Sequence, residues 1–358
     1  MNWFTYLIGL CFFLLTLFTI AGNILIIFVI IRESSLHTSK YYYIVSLAFA
    51  DLLVGLIVMP FSSIFILIDD EFWLFSSYLR ILCDFWHAID IFASTASILG
   101  LCTVGIDRYV AIKKPIQYPT SFISKRWHHM LSFIWICSAL IAFPAILYWG
   151  TKQPVSLSSS LLEQCDIPNN AYYVLFSSMA SFYLPLVLMI YVYIQIYLAA
   201  KDQTFALHFD KKSSIRRSDL SLSENQLSND SIMLRIHHGT YRKPILELDM
   251  QNTIHKTNSQ NFWRTLSNTQ KATRFVGIVM GTFLLCWLPY FVYLVLSGVL
   301  GIRLKDDHHH EVLHTILSWL GYSNSALDII VYVSTSTELR TIIMQLFHDS
   351  NRNNQMTS

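Results

Sequence analysis

The sequence predicts an all-α membrane protein: a bundle of seven transmembrane helices followed by a short amphipathic eighth helix. Its composition is 54% hydrophobic and only 13% charged, whereas soluble domains carry about 25% charged residues. It also contains seven apolar runs, each long enough as a helix to cross a hydrocarbon core of about 30 Å. Closed barrels show short alternating segments instead. The runs lie at residues 4–31, 41–67, 80–112, 128–149, 170–199, 273–300 and 311–334.

The charges of the connecting loops predict how the bundle is oriented. Loop 113–127 holds four basic residues and no acid, whereas loop 68–79 is acidic. Because basic loops stay in the cytoplasm, we expect an extracellular N-terminus and a cytoplasmic C-terminus. The net charge of +2, without a basic stripe, argues against a nucleic-acid partner. The lipid bilayer is the expected surrounding.

The predicted domain organisation is a single seven-helix transmembrane domain at residues 1–348 with a short cytoplasmic tail at 349–358. Segment 201–270 is polar and rich in Ser, Asn and Thr, which predicts a long disordered cytoplasmic loop. After the last apolar run, Thr337 is the expected helix cap. Apolar residues at helical spacing up to Phe347 predict a short helix lying on the inner leaflet.

The acid Asp51 stands in the middle of the second span, where an ionisable group costs about 2.5–3.5 kcal/mol and indicates function. Two carboxylates and several oxygens suit a hard cation, so this cluster predicts a sodium ion. The alternative is a hydrogen-bonded, partly protonated cluster that only holds helices together. The expected neighbours of Asp51 are Asn23, Ser97, Asn324, Ser325 and Asp328.

A second lone acid, Asp90, lies near the outer end of the third span. A carboxylate among aromatic faces is the environment that a protonated amine needs. The alternative is that Asp90 pairs with a protein cation, but no span contains a Lys or Arg at matching depth. The aromatic residues expected around it are Trp287, Tyr290, Phe291, Trp319 and Tyr322.

Serines in the fifth span are candidates for binding the hydroxyl groups of a ligand. Ser177 and Ser181 are four residues apart and share a helix face, with Ser178 beside them. Small residues also allow close helix packing, and spacing alone does not decide between the two. Ser94 in the third span is a further candidate ligand contact.

At the cytoplasmic end of the third span stands Asp107-Arg108-Tyr109. We expect Arg108 to pair with Asp107 at rest and to release towards a partner; the alternative is an arginine anchored at lipid headgroups. Among the six cysteines, Cys83 and Cys165 fall at the outer face. They are the natural disulfide pair in an oxidising compartment.

Together these residues resemble the rhodopsin-like (class A) G-protein-coupled receptors and, within them, the biogenic amine receptors. The resemblance covers roughly residues 15–200 and 268–348. It is carried by Gly22-Asn23, Leu47–Asp51, Asp107-Arg108-Tyr109 with Pro115, Trp135, Pro185 with Tyr193, Cys286-Trp287-Leu288-Pro289, and Trp319-Leu320-Gly321-Tyr322 with Tyr332.

The resemblance implies a plasma-membrane receptor, not an enzyme, for dopamine, octopamine, tyramine or an adrenergic-type amine. Asp90 then binds the amine with Tyr322 beside it, and Trp287 is the switch beneath the ligand. Serotonin fits less well because its receptors often have alanine where Ser181 stands, and histamine because no acid or amide stands among the serines. No cofactor is implied beyond the sodium ion.

The resemblance also implies how such a receptor signals. Pro289 hinges the sixth span, and a groove for a heterotrimeric G protein opens beside Arg108, Tyr193 and Tyr332. Arrestin and kinases are further expected partners. A transporter or channel would instead show broken helices or internal repeats, and neither is evident. His308, His309 and His310 offer zinc ligands, or simply begin the seventh span.

Two departures from the family pattern affect the expected signalling. The family's Asn-Pro-x-x-Tyr reads Asp328-Ile329-Ile330-Val331-Tyr332, and without the proline kink we expect a straighter seventh helix. The acid that often pairs with the arginine from the foot of the sixth span is absent, with Thr269 near its place. We therefore expect higher basal signalling, or alternatively an amine-binding protein that signals weakly or not at all.

Overall fold

The structure is a computed structural model that describes residues 3–67, 80–149, 171–202, 205, 273–298, 301 and 307–356. Every regular element among these residues is helical. Seven of the described helices are long and apolar enough to cross a membrane. The predicted fold class is therefore confirmed, and the predicted 201–270 loop lies largely outside the described residues.

The long helices are labelled α1 to α8 in chain order. Helix α2 contains a π-helical turn at Val54–Val58 between Ser39–Leu53 and Met59–Leu67, and α5 contains one at Met179–Tyr183. The other bounds are α1 Trp3–Arg32, α3 Arg80–Lys113, α4 Trp127–Trp149, α5 Ala171–Asp202, α6 Thr273–Gly298, α7 Asp307–Thr335 and α8 Thr337–Met356.

The chain divides into two compact units, and the candidate site belongs entirely to one of them. The first unit is Met1–Tyr193 with Phe275–Ser358, and the second is Ile194–Arg274. Within the first unit, α3 packs against both α2 and α4. Helices α3 and α7 are the most buried of the described spans. Polar groups of α3 and α7 are thereby shielded from lipid, as an intramembrane charge requires.

Both π-helical turns come shortly before a proline, Pro60 in α2 and Pro185 in α5. A proline has no N–H and clashes with the carbonyl four residues earlier, so the backbone must adjust there. Side chains of α3 bond to carbonyls in these regions. Trp86 Nε1 donates to the carbonyl of Val58 at 3.3 Å, and Cys102 Sγ donates to that of Pro185 at 3.5 Å.

Helix α7 is an unbroken α-helix through Ile329, the position where the family has proline. Ile329 is buried, and its side chain fills the space beside Gly22 of α1, so that a Cβ on Gly22 would overlap it. Asn23 Nδ2 donates to the Ser325 carbonyl at 3.3 Å. These contacts join α1 to α7 at the substituted position. The expected straightness of α7 stays a prediction.

Helix α8 differs from the prediction at both ends. Ser336 is the cap, not Thr337: the Leu339 N–H donates to Ser336 Oγ at 3.4 Å, whereas Thr337 is already helical. The prediction of Thr337 as the cap is therefore wrong. The helix also continues past Phe347 to Met356, through most of the predicted 349–358 tail. No glycine or proline follows Phe347 to end it.

Candidate functional site

The centre of the candidate site is the carboxylate of Asp90 on α3. Tyr322 of α7 donates its hydroxyl to Asp90 Oδ2 at 2.9 Å, and Ser94 Oγ donates to Oδ1 at 3.3 Å. Both donors are neutral, and Asp90 makes no ion pair with any described residue. Its negative charge is oriented by two hydrogen bonds and is available to a cation from outside the protein.

Aromatic side chains of α6 form one wall near this carboxylate. Tyr290 meets Phe291 edge-to-face at 5.4 Å between ring centroids. Phe291 in turn stacks on Phe182 of α5 at 4.3 Å with an interplanar angle of 8°. Offset stacking and edge contacts are the favourable arrangements of such rings. Phe182, which the sequence reasoning missed, joins the π-helical turn of α5 to this wall.

Trp287 lies buried beneath the aromatic wall, against the backbone of α7. A Cβ on Gly321 would stand only 3.1 Å from two atoms of the indole ring, so the glycine permits this close approach. The indole N–H has no hydrogen-bond partner among the described residues. A buried polar atom of this kind indicates a group that can change its position or bind a water molecule.

Trp319 supports the site from the side of α1. Its indole stacks on Phe12 with ring centroids 3.7 Å apart and meets Tyr322 edge-to-face at 5.9 Å. Tyr322 is thus held between Trp319 and Asp90. The sequence placed Trp319 near the acid, but the contribution of Phe12 went unrecognised because no motif marks it.

The three serines of α5 have different partners. Ser181 Oγ accepts a hydrogen bond from Thr95 Oγ1 of α3 at 3.0 Å. Ser177 Oγ donates to the Val174 carbonyl at 3.2 Å. Ser178 is fully buried, and its hydroxyl has no partner among the described residues. Because Thr95 is the donor, the Ser181 proton remains available to another acceptor. Thr95 was not predicted.

A buried polar cluster surrounds Asp51 midway along the bundle. Asp51 Oδ1 accepts from Ser97 Oγ at 3.1 Å and from Ser325 Oγ at 2.8 Å. Asn324 Nδ2 donates to Asp328 Oδ2 at 3.1 Å. Four buried oxygens of the cluster accept no hydrogen bond from any described residue. Buried acceptors that lack donors fit the ligands of a bound cation. The four oxygens are Asn23 Oδ1, Asp51 Oδ2, Asn324 Oδ1 and Asp328 Oδ1.

At the opposite end of α3, Asp107 is buried and accepts two hydrogen bonds. Arg108 pairs with its Oδ2 at 2.7 Å, and Tyr118 from the following loop donates to its Oδ1 at 2.6 Å. Burial, followed by the negative charge of Asp107, raises the pKa of Tyr118 to about 12. Next to this pair, Tyr109 accepts from Lys113 at 2.6 Å. Tyr118 was missed because its contact depends on the path of a loop.

The remaining residues of the predicted switch do not bond to Arg108 in the described contacts. Tyr332 is buried, with its ring 6.3 Å from that of Phe275, and its hydroxyl has no described partner. Tyr193 lies against Gly277 of α6. Pro289 is half-buried within α6. In the structure Arg108 is therefore paired with Asp107. Neither Tyr193 nor Tyr332 bonds to Arg108 in the described contacts.

The N-terminal end of α3 carries a disulfide. Cys83 is disulfide-bonded, whereas Cys11, Cys102, Cys137 and Cys286 are free. The predicted partner Cys165 lies outside the described residues, so this pairing stays a prediction. No group of three or more His, Cys, Asp or Glu that could hold a metal occurs in the described ranges. The side chains of His308 and His310 fall outside those ranges.

Seven apolar helices with a hydrogen-bonded acid at one end of α3 and an acid–arginine pair at the other define a seven-helix transmembrane receptor. The family described as "7 transmembrane receptor (rhodopsin family)" matches residues 22–332, and the chain belongs to it. The expected rhodopsin-like family is thereby confirmed, and with it a receptor rather than an enzyme.

Similar proteins of this family carry the names of amine receptors. The chain is 33% identical to "Dopamine receptor 2" of Drosophila melanogaster over 93% of its own length and 69% of that protein. It is 36% identical to the human "Alpha-1A adrenergic receptor", over 91% of the chain and 64% of that receptor. The receptor of the same name from Cavia porcellus is 34% identical, over 93% and 66%. The chain spans about two thirds of these relatives.

Proposed function

We propose that this protein is a receptor for a protonated biogenic amine, with Asp90 as the counter-ion of the ammonium group. The observation that carries the proposal is the pair of neutral donors, Tyr322 and Ser94, on a carboxylate that makes no described ion pair. They orient the charge without neutralising it. An amine can then add both an ion pair with Asp90 and attraction to the nearby ring faces.

The ligand class follows from the opposite wall of the proposed pocket. Ser181, with its proton free, can donate to a ring hydroxyl, while Ser177 and Ser178 offer two more hydroxyls. Tyr290 and Phe291 supply flat faces for an aromatic ring. This set suits dopamine, octopamine, tyramine or an adrenergic-type amine, and the relatives named for dopamine and adrenergic receptors support that class. Serotonin and histamine are weaker fits.

Signalling is proposed to follow from a shift between two conformations. A bound amine draws α5 and α6 together, α6 bends at Pro289, and Arg108 leaves Asp107 to line a groove with Tyr193 and Tyr332. A heterotrimeric G protein enters that groove; arrestin and kinases are further proposed partners. The amine shifts this equilibrium only by its higher affinity for the active conformation. The receptor lies in the plasma membrane with its N-terminus outside.

A sodium ion at Asp51 is proposed as a regulator of the same equilibrium. The unpartnered oxygens of Asp51, Asp328, Asn324 and Asn23 are hard ligands, and the described residues there provide no competing cation. Ser97 and Ser325 fix the Asp51 carboxylate so that its second oxygen stays free. Sodium bound there stabilises the resting conformation.

One observation favours a second candidate function, an amine-binding protein with weak signalling. Ile329 replaces the proline of the seventh span and packs closely against Gly22. Because the contact fixes α7 against α1, the inward movement of α7 is hindered. In that case amine binding persists without efficient activation of a G protein.

The proposal is tested with full-length receptor in membranes, comparing binding and G-protein activation across a panel of amines. We expect at least one hydroxylated phenylethylamine to bind and to activate, and Asp90→Ala to abolish both. Binding that survives Asp90→Ala contradicts the proposed site. Amine binding to the wild type without activation supports the weakly signalling candidate instead.

A further inference from the structure

The start of α8 is fastened to the start of α2 by four polar side chains. Lys40 Nζ lies 3.4 Å from Glu338 Oε2 and 4.3 Å from the centre of the Tyr41 ring. Tyr41 donates its hydroxyl to Glu338, and Ser336 Oγ lies 3.3 Å from that hydroxyl. We call Lys40, Tyr41, Ser336 and Glu338 the α2–α8 clasp.

The clasp is more than an exposed ion pair, because one of its members is buried. Only 2% of Tyr41 is exposed, so its hydroxyl needs a partner inside the protein. Glu338 supplies that partner, although 65% of its own side chain is exposed. Ser336 is at the same time the cap of α8. Losing Glu338 therefore removes a partner from a buried group and loosens the first turn of α8.

The same end of α2 also reaches the site of Arg108. Ser39, next to Lys40, lies 3.3 Å from the hydroxyl of Tyr118, and Tyr118 donates to Asp107, the partner of Arg108. The Tyr41 hydrogen bond and then the Lys40 charge lower the pKa of Glu338, with a smaller contribution from Arg108. The Glu338 carboxyl is therefore ionised at neutral pH, and the positive charge of Arg108 makes a small favourable contribution to that ionised form.

We propose that Glu338 fastens α8 to α2 and so restrains the resting arrangement around Arg108, in a chain whose sixth span lacks an acid for that arginine. The restraint on signalling rests on the proposed receptor function, whereas the fastening of α8 does not. Release of the clasp frees the first turn of α8 and favours the active conformation. Glu338 and Tyr41 act as positioning residues that touch neither the ligand nor the G protein in this proposal.

The fastening is tested by amide hydrogen exchange of purified receptor in lipid nanodiscs. In Glu338→Ala and in Tyr41→Phe, each of which removes the hydrogen bond between the two side chains, we expect residues 337–346 to exchange roughly two- to tenfold faster than in the wild type, as for one ordinary hydrogen bond lost. The matched control is Glu33→Ala, because among the described residues the Glu33 side chain accepts a hydrogen bond only from Ser35. Unchanged exchange in both clasp variants overturns the proposal.

The restraint is tested by ligand-free nucleotide exchange on a reconstituted G protein. Each single variant should raise basal activation roughly two- to tenfold, and the double variant should add little to the larger single effect, because both break the same contact. Faster amide exchange without a rise in basal activation overturns the restraint. If no amine activates the wild type, the signalling proposal fails and the restraint with it, while amide exchange still decides the fastening.

Discussion

Ile329 of α7 occupies the space that Gly22 leaves open on α1, and Asn23 beside that glycine donates to the Ser325 carbonyl at 3.3 Å. Ser325 is the residue whose carbonyl accepts the helical hydrogen bond from position 329. The Ser325 carbonyl therefore accepts a second hydrogen bond, from the Asn23 side chain of another helix. This relationship makes position 329 unusually tolerant of proline, the residue that the family has there.

Ile329→Pro is expected to cost less stability than a proline in an ordinary helix interior, which costs about 3 kcal/mol or more. Asn23 continues to satisfy the freed Ser325 carbonyl. The matched control is Ile330→Pro, one residue along and facing outward. The Ala326 carbonyl that it frees accepts no side-chain donor in the described contacts. Thermal unfolding in detergent should show a smaller loss for Ile329→Pro; the reverse order contradicts the role of Asn23.

Tyr322→Phe should weaken amine binding by roughly tenfold or more, since a hydrogen bond to a charged group contributes about 1.5–3 kcal/mol. The phenyl ring keeps its contact with Trp319, so only the bond to Asp90 is lost. Equilibrium binding of a labelled amine measures the effect. The control is the same substitution made in an Asp90→Asn receptor, which lacks the charge that Tyr322 orients. In that receptor, Tyr322→Phe should weaken amine binding little further. Equal losses in both backgrounds argue against a role through Asp90.

Ser181→Ala should weaken binding of a ring-hydroxylated amine by roughly three- to tenfold, the range of a single net hydrogen bond. The Thr95 hydroxyl donates to Ser181 Oγ and leaves its proton for the ligand. An amine with the same skeleton but no ring hydroxyl should bind both proteins alike. Competition binding of the two amines measures this. An equal loss for both indicates that Ser181 serves helix packing alone.

The seven spans were predictable because the bilayer imposes a length and an apolar composition on each helix. Hydropathy does not record helix register, so the π-helical turns at Val54–Val58 and Met179–Tyr183 were not foreseen. Pro60 and Pro185 were their only signal in the sequence. Asp90 and Asp51 stood out because buried charges are rare in lipid.

Partners with no unusual chemistry were harder to predict. Thr95, Phe12 and Phe182 are ordinary residues in apolar runs, and only the packing of helices reveals what they contact. Tyr118 and Tyr41 lie at helix ends and in loops, where contacts depend on the chain path. The motifs therefore indicated the charged centres of the site but not the side chains that position them.

Sodium chloride should lower agonist affinity relative to potassium chloride at equal ionic strength, because sodium at Asp51 stabilises the resting conformation. Asp51→Asn should remove this difference, since the amide cannot replace a charged oxygen ligand. Ser138→Ala is the control, because Ser138 is also buried but, among the residues that the structure describes, its hydroxyl bonds only to the Ile134 carbonyl. Agonist competition curves in the two salts provide the measurement. A sodium effect that persists in Asp51→Asn places the ion elsewhere.

Acidification should release the α2–α8 clasp. The Tyr41 hydrogen bond and the Lys40 charge lower the pKa of Glu338 from its ordinary value of 4.5. A lowered pKa in the folded state means that the ionised group stabilises the fold above pH 4.5 and that this contribution is lost as the pH falls through the lowered pKa. The difference in unfolding temperature between wild type and Glu338→Gln should therefore be largest at neutral pH and shrink on acidification. Thermal scans from pH 7 downwards measure it, with Glu33→Gln as the control. A difference that stays constant as Glu338 becomes protonated shows that its charge contributes nothing to the clasp.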